Sequence, residues 1–216
     1  MKKIILSLIL CFILILPSFS ATTISTSQLN KQGWEYIKKE DYYSAFNSFS
    51  SIFEVAKEQQ DYAYIMYGFL EMIKNDNLPA TFRFELCQML VEEDFEAKLT
   101  NNKLRNLNFA ITFKMMNIIA KTDSKDKLFT QKLKSNKQIE LQETREIYSN
   151  AIKKTTTLYD AAYARLIYAL YEYSIGNSKL ALGQIQNESN NILKYGTKQE
   201  SNNCIEIVNF VLDLCK

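Results

Sequence analysis

Only one proline, Pro79, lies beyond the N-terminal apolar segment, and just five glycines punctuate the 216-residue chain. A many-stranded sandwich or barrel needs a turn former every few residues, so this scarcity excludes those folds and points to helices. A hydrophobic content of 47% over this length supports one domain with its own core. Histidine is absent. That removes the Ser-His-Asp and Cys-His hydrolases, zinc sites built on imidazole, and imidazole pH switching.

The N-terminus has three zones: Lys2 and Lys3, an apolar run over 4–16 broken only by Ser7, and then Pro17, Ser18, Phe19, Ser20 and Ala21. This is the pattern of a secretory signal peptide over 1–20, with cleavage before Ala21. As a helix the run would reach only about 20 Å, short of the roughly 30 Å hydrocarbon core, so no stable membrane span is expected after cleavage. Cys11 follows Leu10 in the middle of the run, which does not suit a lipid-acceptor cysteine. The expectation is a bacterial protein, periplasmic or secreted, with a flexible leader over 21–27 and a helical domain over 28–216.

Loss of Lys2 and Lys3 with the signal reduces 26 basic residues to 24, against 24 acidic ones, so the exported chain is neutral. Its charges are intermingled and form no basic stripe, so nucleic acid is not an expected partner. The most basic stretch, 121–137, also holds Asp123 and Asp126 and reads as a solvated connector. Three cysteines follow the signal: Cys87, Cys204 and Cys215. On one helix Cys204 and Cys215 would stand about 16 Å apart, too far to bridge. Cys87 can pair with either, or all three are small buried apolar residues. A CxxC spacing is missing, so neither a metal site nor a cofactor is expected.

Apolar residues recur at spacings of three and four over most of the remaining chain. Ser25 or Ser27 is the expected N-cap of the first helix. A second pattern runs through Tyr42, Ala45, Phe46, Phe49, Ile52 and Phe53. Further helices are expected over 60–74, from Pro79 onward, over 95–120 with a break at 100–102, and over 138–154, 158–175, 178–195 and 198–214. About nine helices and no strand result, with an irregular segment over 122–136.

The glycines expose a repeat. Gly33 and Gly68 are 35 residues apart. Reading on from Gly33 gives Tyr36, Asp41, Ala45 and Phe49, and the same offsets from Gly68 give Glu71, Asp76, Ala80 and Phe84. A third copy anchored on Ala169 gives Asn177, Ala181 and Ile185. Repeating helical pairs of this length, with small residues at fixed offsets, resemble the tetratricopeptide repeat. The clearest copies span 28–57, 61–93 and 158–195, with a terminal helix over 198–214, and no acceptable copy falls over 95–136. The family's frequent proline after the second helix is missing. The resemblance implies an all-α superhelix of stacked antiparallel hairpins, a solenoid, whose first helices line a concave groove. It places Trp34, Tyr62, Phe69, Tyr163 and Tyr173 on that inner side, where aromatic side chains with polar tips suit peptide recognition as well as packing.

Catalytic motifs are scarce. Glu92, Glu93 and Asp94 form the densest acidic cluster, but a solvated turn explains them, and no glycine-rich phosphate loop or serine elbow is present. The expected function is therefore a non-enzymatic scaffold that binds a protein or peptide through its concave face. Two other readings stand beside it: a structural accessory subunit of a cell-envelope complex, and a carboxylate-dependent hydrolase of envelope polysaccharide on a helical framework.

Overall fold

The computed structural model describes residues 24–122 and 137–216, and among these every regular element is a helix. The N-terminal segment read as a signal peptide and most of the expected irregular segment lie outside the described residues. In chain order the helices are α1 (Thr26–Lys38), α2 (Tyr42–Val55), α3 (Gln59–Lys74), α4 (Ala80–Val91), the single turn α5 (Glu93–Glu96), α6 (Asn102–Lys121), α7 (Lys137–Lys153), α8 (Leu158–Ser174), α9 (Ser178–Tyr195) and α10 (Lys198–Leu214).

Short polar residues set the boundaries by satisfying amides that a helix start leaves unpaired. Ser25 caps α1 in a reciprocal box with Gln28. Asp41 accepts from the Ser44 amide, Asn101 from Leu104 and Thr157 from Asp160, and Thr197 forms a second box with Glu200. The break expected at 100–102 is the turn into α6, and it is tied to α3 by Gln59, whose Oε1 accepts from the Thr100 and Asn101 amides at 2.8 and 3.0 Å. Between α1 and α2 the chain reverses through Glu40 in the left-handed region, φ 59°.

Neighbouring helices pack in sequence. α1 lies against α2, α2 against α3, and α3 returns to touch α1. The reason these three can approach is visible at one ring. A Cβ added to Gly33 would stand 2.5 Å from the Phe49 ring, and one added to Gly68 would stand 2.5 Å from the same ring. Phe49 is fully buried, so two helices make room for a wedge carried by the third. Trp34 closes one side edge-on, with ring centroids 5.9 Å apart.

The same spacing governs the far end. Ala169 in α8 and Cys204 in α10 are also 35 residues apart, with Ala181 and Ile185 of α9 between them, and all four are buried. Here α8 packs on α9, α9 on α10, and α10 touches α8.

Between these two triplets the arrangement departs from a simple stack. α6 packs against α4, α8 and, most extensively, α10. Asn106 near the start of α6 donates to Glu206 in the middle of α10 at 2.7 Å, and Lys121 at the end of α6 donates to the Lys216 carbonyl beyond the end of α10 at 2.7 Å, so α6 and α10 run parallel. Asn117, buried, donates to the carbonyls of Ser174 and Cys215 and so ties the ends of α8 and α10 to α6. Lys74 at the end of α3 pairs with Asp213 of α10 at 2.8 Å. The last helix thus packs along α6 and touches α8.

Lys114 of α6 is 4% exposed, and its ammonium has Asn117 Oδ1 at 3.5 Å. Burial pulls its proton affinity below that of an ordinary lysine.

Two predictions test this packing. Gly68→Ala should lower stability by about 1–2 kcal/mol despite the gain in helix propensity, because the Phe49 ring has nowhere to move. Gly183→Ala in α9, where a Cβ meets nothing within 4 Å, should instead raise it by about 0.5–1 kcal/mol, both read by urea unfolding. Second, since the native state holds the Lys114 proton less tightly than the unfolded chain, stability should rise as pH climbs toward the ordinary lysine value. Lys114→Met should abolish that rise and stabilise the protein at neutral pH by about 1–4 kcal/mol.

Candidate functional site

The five aromatic residues expected at the groove fall on three helices and have different surroundings. Phe69 of α3 is fully buried, stacked on Phe46 with centroids 5.8 Å apart, and Tyr62 is 8% exposed with its edge on Phe95. Their stripe continues through the buried Ile65, Met72 and Ile73. Packing, not solvent, meets that side of α3. Trp34 on α1 is half-buried, and its indole Nε1 donates to Asn30 Oδ1 at 3.0 Å. Tyr163 and Tyr173, both on α8, are half-buried as well. The structure does not gather the five at one place.

It gathers other tyrosines around Tyr163. Tyr159, one turn earlier on α8, stacks on it with an interplanar angle of 18° and centroids 6.2 Å apart. Across from it, Tyr148 of α7 packs on Tyr168 and Tyr171 of α8 at 6.1 and 5.3 Å. Helical spacing makes neighbours of Tyr159 with Tyr163 and of Tyr168 with Tyr171, because positions three and four apart share a face, and the second pair faces α7. α7 runs antiparallel along that face and adds one ring. Of the five, only Tyr171 is fully buried.

A charge pair fixes the two helices. Arg145 of α7 reaches Glu172 of α8 with Nε at 2.7 Å and Nη2 at 3.2 Å, a two-pronged geometry. Burial pushes the Glu172 carboxyl up, but hydrogen bonds from Arg145, Asn177 and Tyr168 outweigh it and hold it below the ordinary glutamate range. Glu188 of α9 is treated alike by Arg165 at 3.0 Å, with Asn191 and Asn187 completing its shell. Asn187, the start of a glycosylation-like triplet, is thus occupied in holding a buried carboxylate.

Burial raises the phenols of Tyr148, Tyr159, Tyr163, Tyr168 and Tyr171 above their ordinary value, Tyr171 to about 12. For Tyr159 a hydrogen bond shared with the Cys204 thiol adds to the effect. These hydroxyls stay neutral at physiological pH and can both donate and accept. Flat apolar rings with neutral hydroxyl tips suit contact with a polypeptide surface and offer no nucleophile.

The acidic cluster has a local explanation. Glu92 is the N-cap of α5, its carbonyl accepts from the Phe95 and Glu96 amides, and Glu92, Glu93 and Asp94 all point to solvent. Among the described residues no three of His, Cys, Asp and Glu converge as metal ligands, and no helix is long and apolar enough to cross a membrane.

The sequence singles out Tyr163, and the structure sets Tyr159 against it and, further along α8, Tyr148, Arg145 and Glu172, which the sequence did not single out. Period-four spacing marks Tyr159 and Tyr163 as neighbours, whereas the short connector over 154–157 makes α7 and α8 neighbours without saying which of their side chains meet. Compared with protein-family models, curated proteins and solved structures, the chain matches none.

The raised phenols make a measurable prediction. In an ultraviolet titration of the native protein, these tyrosines should stay protonated above pH 10, while in urea all should ionise near 10. Because the native state keeps protons that the unfolded state releases, stability should fall as pH rises beyond 10. Tyr148→Phe with Tyr163→Phe should soften that decline.

Proposed function

We propose that the protein is an exported, non-enzymatic scaffold that binds another protein or a peptide, built from tetratricopeptide-like hairpins. The observation that carries this reading is the wedge of Phe49 between Gly33 and Gly68, two glycines 35 residues apart. Hairpins that lean on the next helix through small residues make a rigid support, and a rigid support presents side chains at little entropic cost on binding. The half-buried rings of Trp34, Tyr163 and Tyr173 are the contacts proposed to meet the partner, since Tyr62 and Phe69 are committed to packing. Around Tyr163 the neighbouring phenols of Tyr148 and Tyr159 enlarge that surface, and Arg145 and Glu172 supply a fixed polar flank. Export rests on the grammar of residues 1–20, and it directs the search for the partner to the cell envelope or the exterior.

A photoreactive phenylalanine analogue at Tyr173 should trap one discrete partner in the producing cell. Trp34→Ala with Tyr163→Ala should reduce that trapping by about tenfold or more, the loss of a binding hot spot, without changing the helical circular dichroism. Equal trapping with both rings removed would reject these contacts, and no trapped species would reject the scaffold.

A further inference from the structure

Two connectors far apart in the sequence meet at one end of the helices. The turn over 154–157 joins α7 to α8, and the turn over 196–197 joins α9 to α10. A Cβ added to Gly196 would stand 3.0 Å from the Tyr159 ring in the first turn of α8, so the two connectors lie side by side. Four lysines stand exposed around that contact: Lys153 and Lys154 where α7 ends, and Lys194 and Lys198 on either side of the second turn. None of the four pairs with a carboxylate of the described residues. The carboxylates that follow the two turns are drawn back onto helix starts. Asp160 accepts from the Thr157 hydroxyl at 2.6 Å, and Glu200 accepts from the Thr197 amide and hydroxyl at 2.6 and 2.7 Å. Each offsets the positive end of its own helix.

Large apolar side chains stand exposed at the same connectors. Leu158, the first residue of α8, is 65% exposed, and Tyr195, the last of α9, is 40% exposed with the Lys194 ammonium 5.0 Å from the centre of its ring. Helix stability does not account for the set. A lysine in the last turn of a helix is favourable, which explains Lys153 and Lys194, but Lys198 opens α10, where a cation faces the positive end of the helix.

We propose that this end of the molecule lies on a bilayer that carries acidic headgroups. The four ammoniums meet headgroup phosphates, while Leu158 and Tyr195 enter the boundary with the acyl chains, where a phenol finds both apolar and wet surroundings. Lysine stems are long enough to cross from that boundary to the phosphates. A fluid layer of phosphates demands no fixed geometry, and lysine, a point charge on a flexible stem, imposes none. Nucleic acid offers the same phosphates but no apolar layer for Leu158 and Tyr195. The attachment is peripheral, since among the described residues no helix is long and apolar enough to cross a membrane. Each connector supplies half of the charge, so the patch exists only once α8 and α10 have brought the two turns together.

The test sediments the protein, purified from the producing cell, with lipid vesicles. It should sediment with vesicles of phosphatidylglycerol and phosphatidylcholine in equal parts, stay in solution with phosphatidylcholine alone, and leave the acidic vesicles at high salt. Lys154→Gln with Lys198→Gln should weaken binding to the acidic vesicles by about 25-fold, about fivefold for each ammonium. Leu158→Ser with Tyr195→Ser should weaken it by about tenfold and leave the salt dependence in place. All four positions are exposed, so the helical circular dichroism should not change. Failure to sediment with acidic vesicles, or sedimentation indifferent to loss of the two lysines, overturns the proposal. Equal binding by the serine variant also overturns it, because the surface would then be taking phosphate without a bilayer. None of these outcomes involves a protein partner, so this proposal and the scaffold reading fail separately.

Discussion

Everything at the amino-terminal end depends on a phenyl ring having nowhere else to go. Phe49 occupies the volume that Gly33 and Gly68 leave empty, and each missing Cβ would collide with it. Because interiors are packed as densely as organic crystals, such a fit fixes the separation and angle of three helices at once. Trp34 and the half-buried Phe46 and Phe53 then extend the aromatic seam to Phe69, Phe82 and Phe95. The glycines cost helix propensity, and close packing offsets that loss.

Much of this was legible because it is local. Period-three and period-four spacing marked the helices, and the serine pair Ser25 and Ser27 marked the first start, which Ser25 caps. The register of Gly33 with Gly68 marked two equivalent positions, but not the single Phe49 ring on which both pack. The return of α10 to α6 was not legible. It is held by Asn106, Asn117 and Lys121, polar residues scattered on a helix whose apolar stripe reads like any other. The candidate surface suffers from the same limit: Tyr159 and Tyr163 announce each other by spacing, whereas Arg145 and Tyr148 come from another helix through tertiary contact alone.

Lys114 shows where the chain departs from pure packing. Lysine is seldom fully buried without a charged partner, and here the nearest oxygen belongs to an amide. Asp76 and Arg83 lie near enough to influence it, and Asp76 pairs with Arg83. The buried cation sits where α4, α6 and α10 converge. Its burial is a cost that the packing of those helices offsets.

The parallel docking of α10 on α6 also determines when the molecule can be finished. A repeat array whose units touch only their neighbours can grow from either end, one hairpin at a time. Here residue 106 meets residue 206, and residue 121 meets the last residue of the chain. Contacts spanning so much sequence slow folding, because a long loop must close before they contribute. The early hairpins can therefore assemble during synthesis, but the centre stays open until α10 arrives. A chain truncated before α10 would keep its beginning and lose its middle.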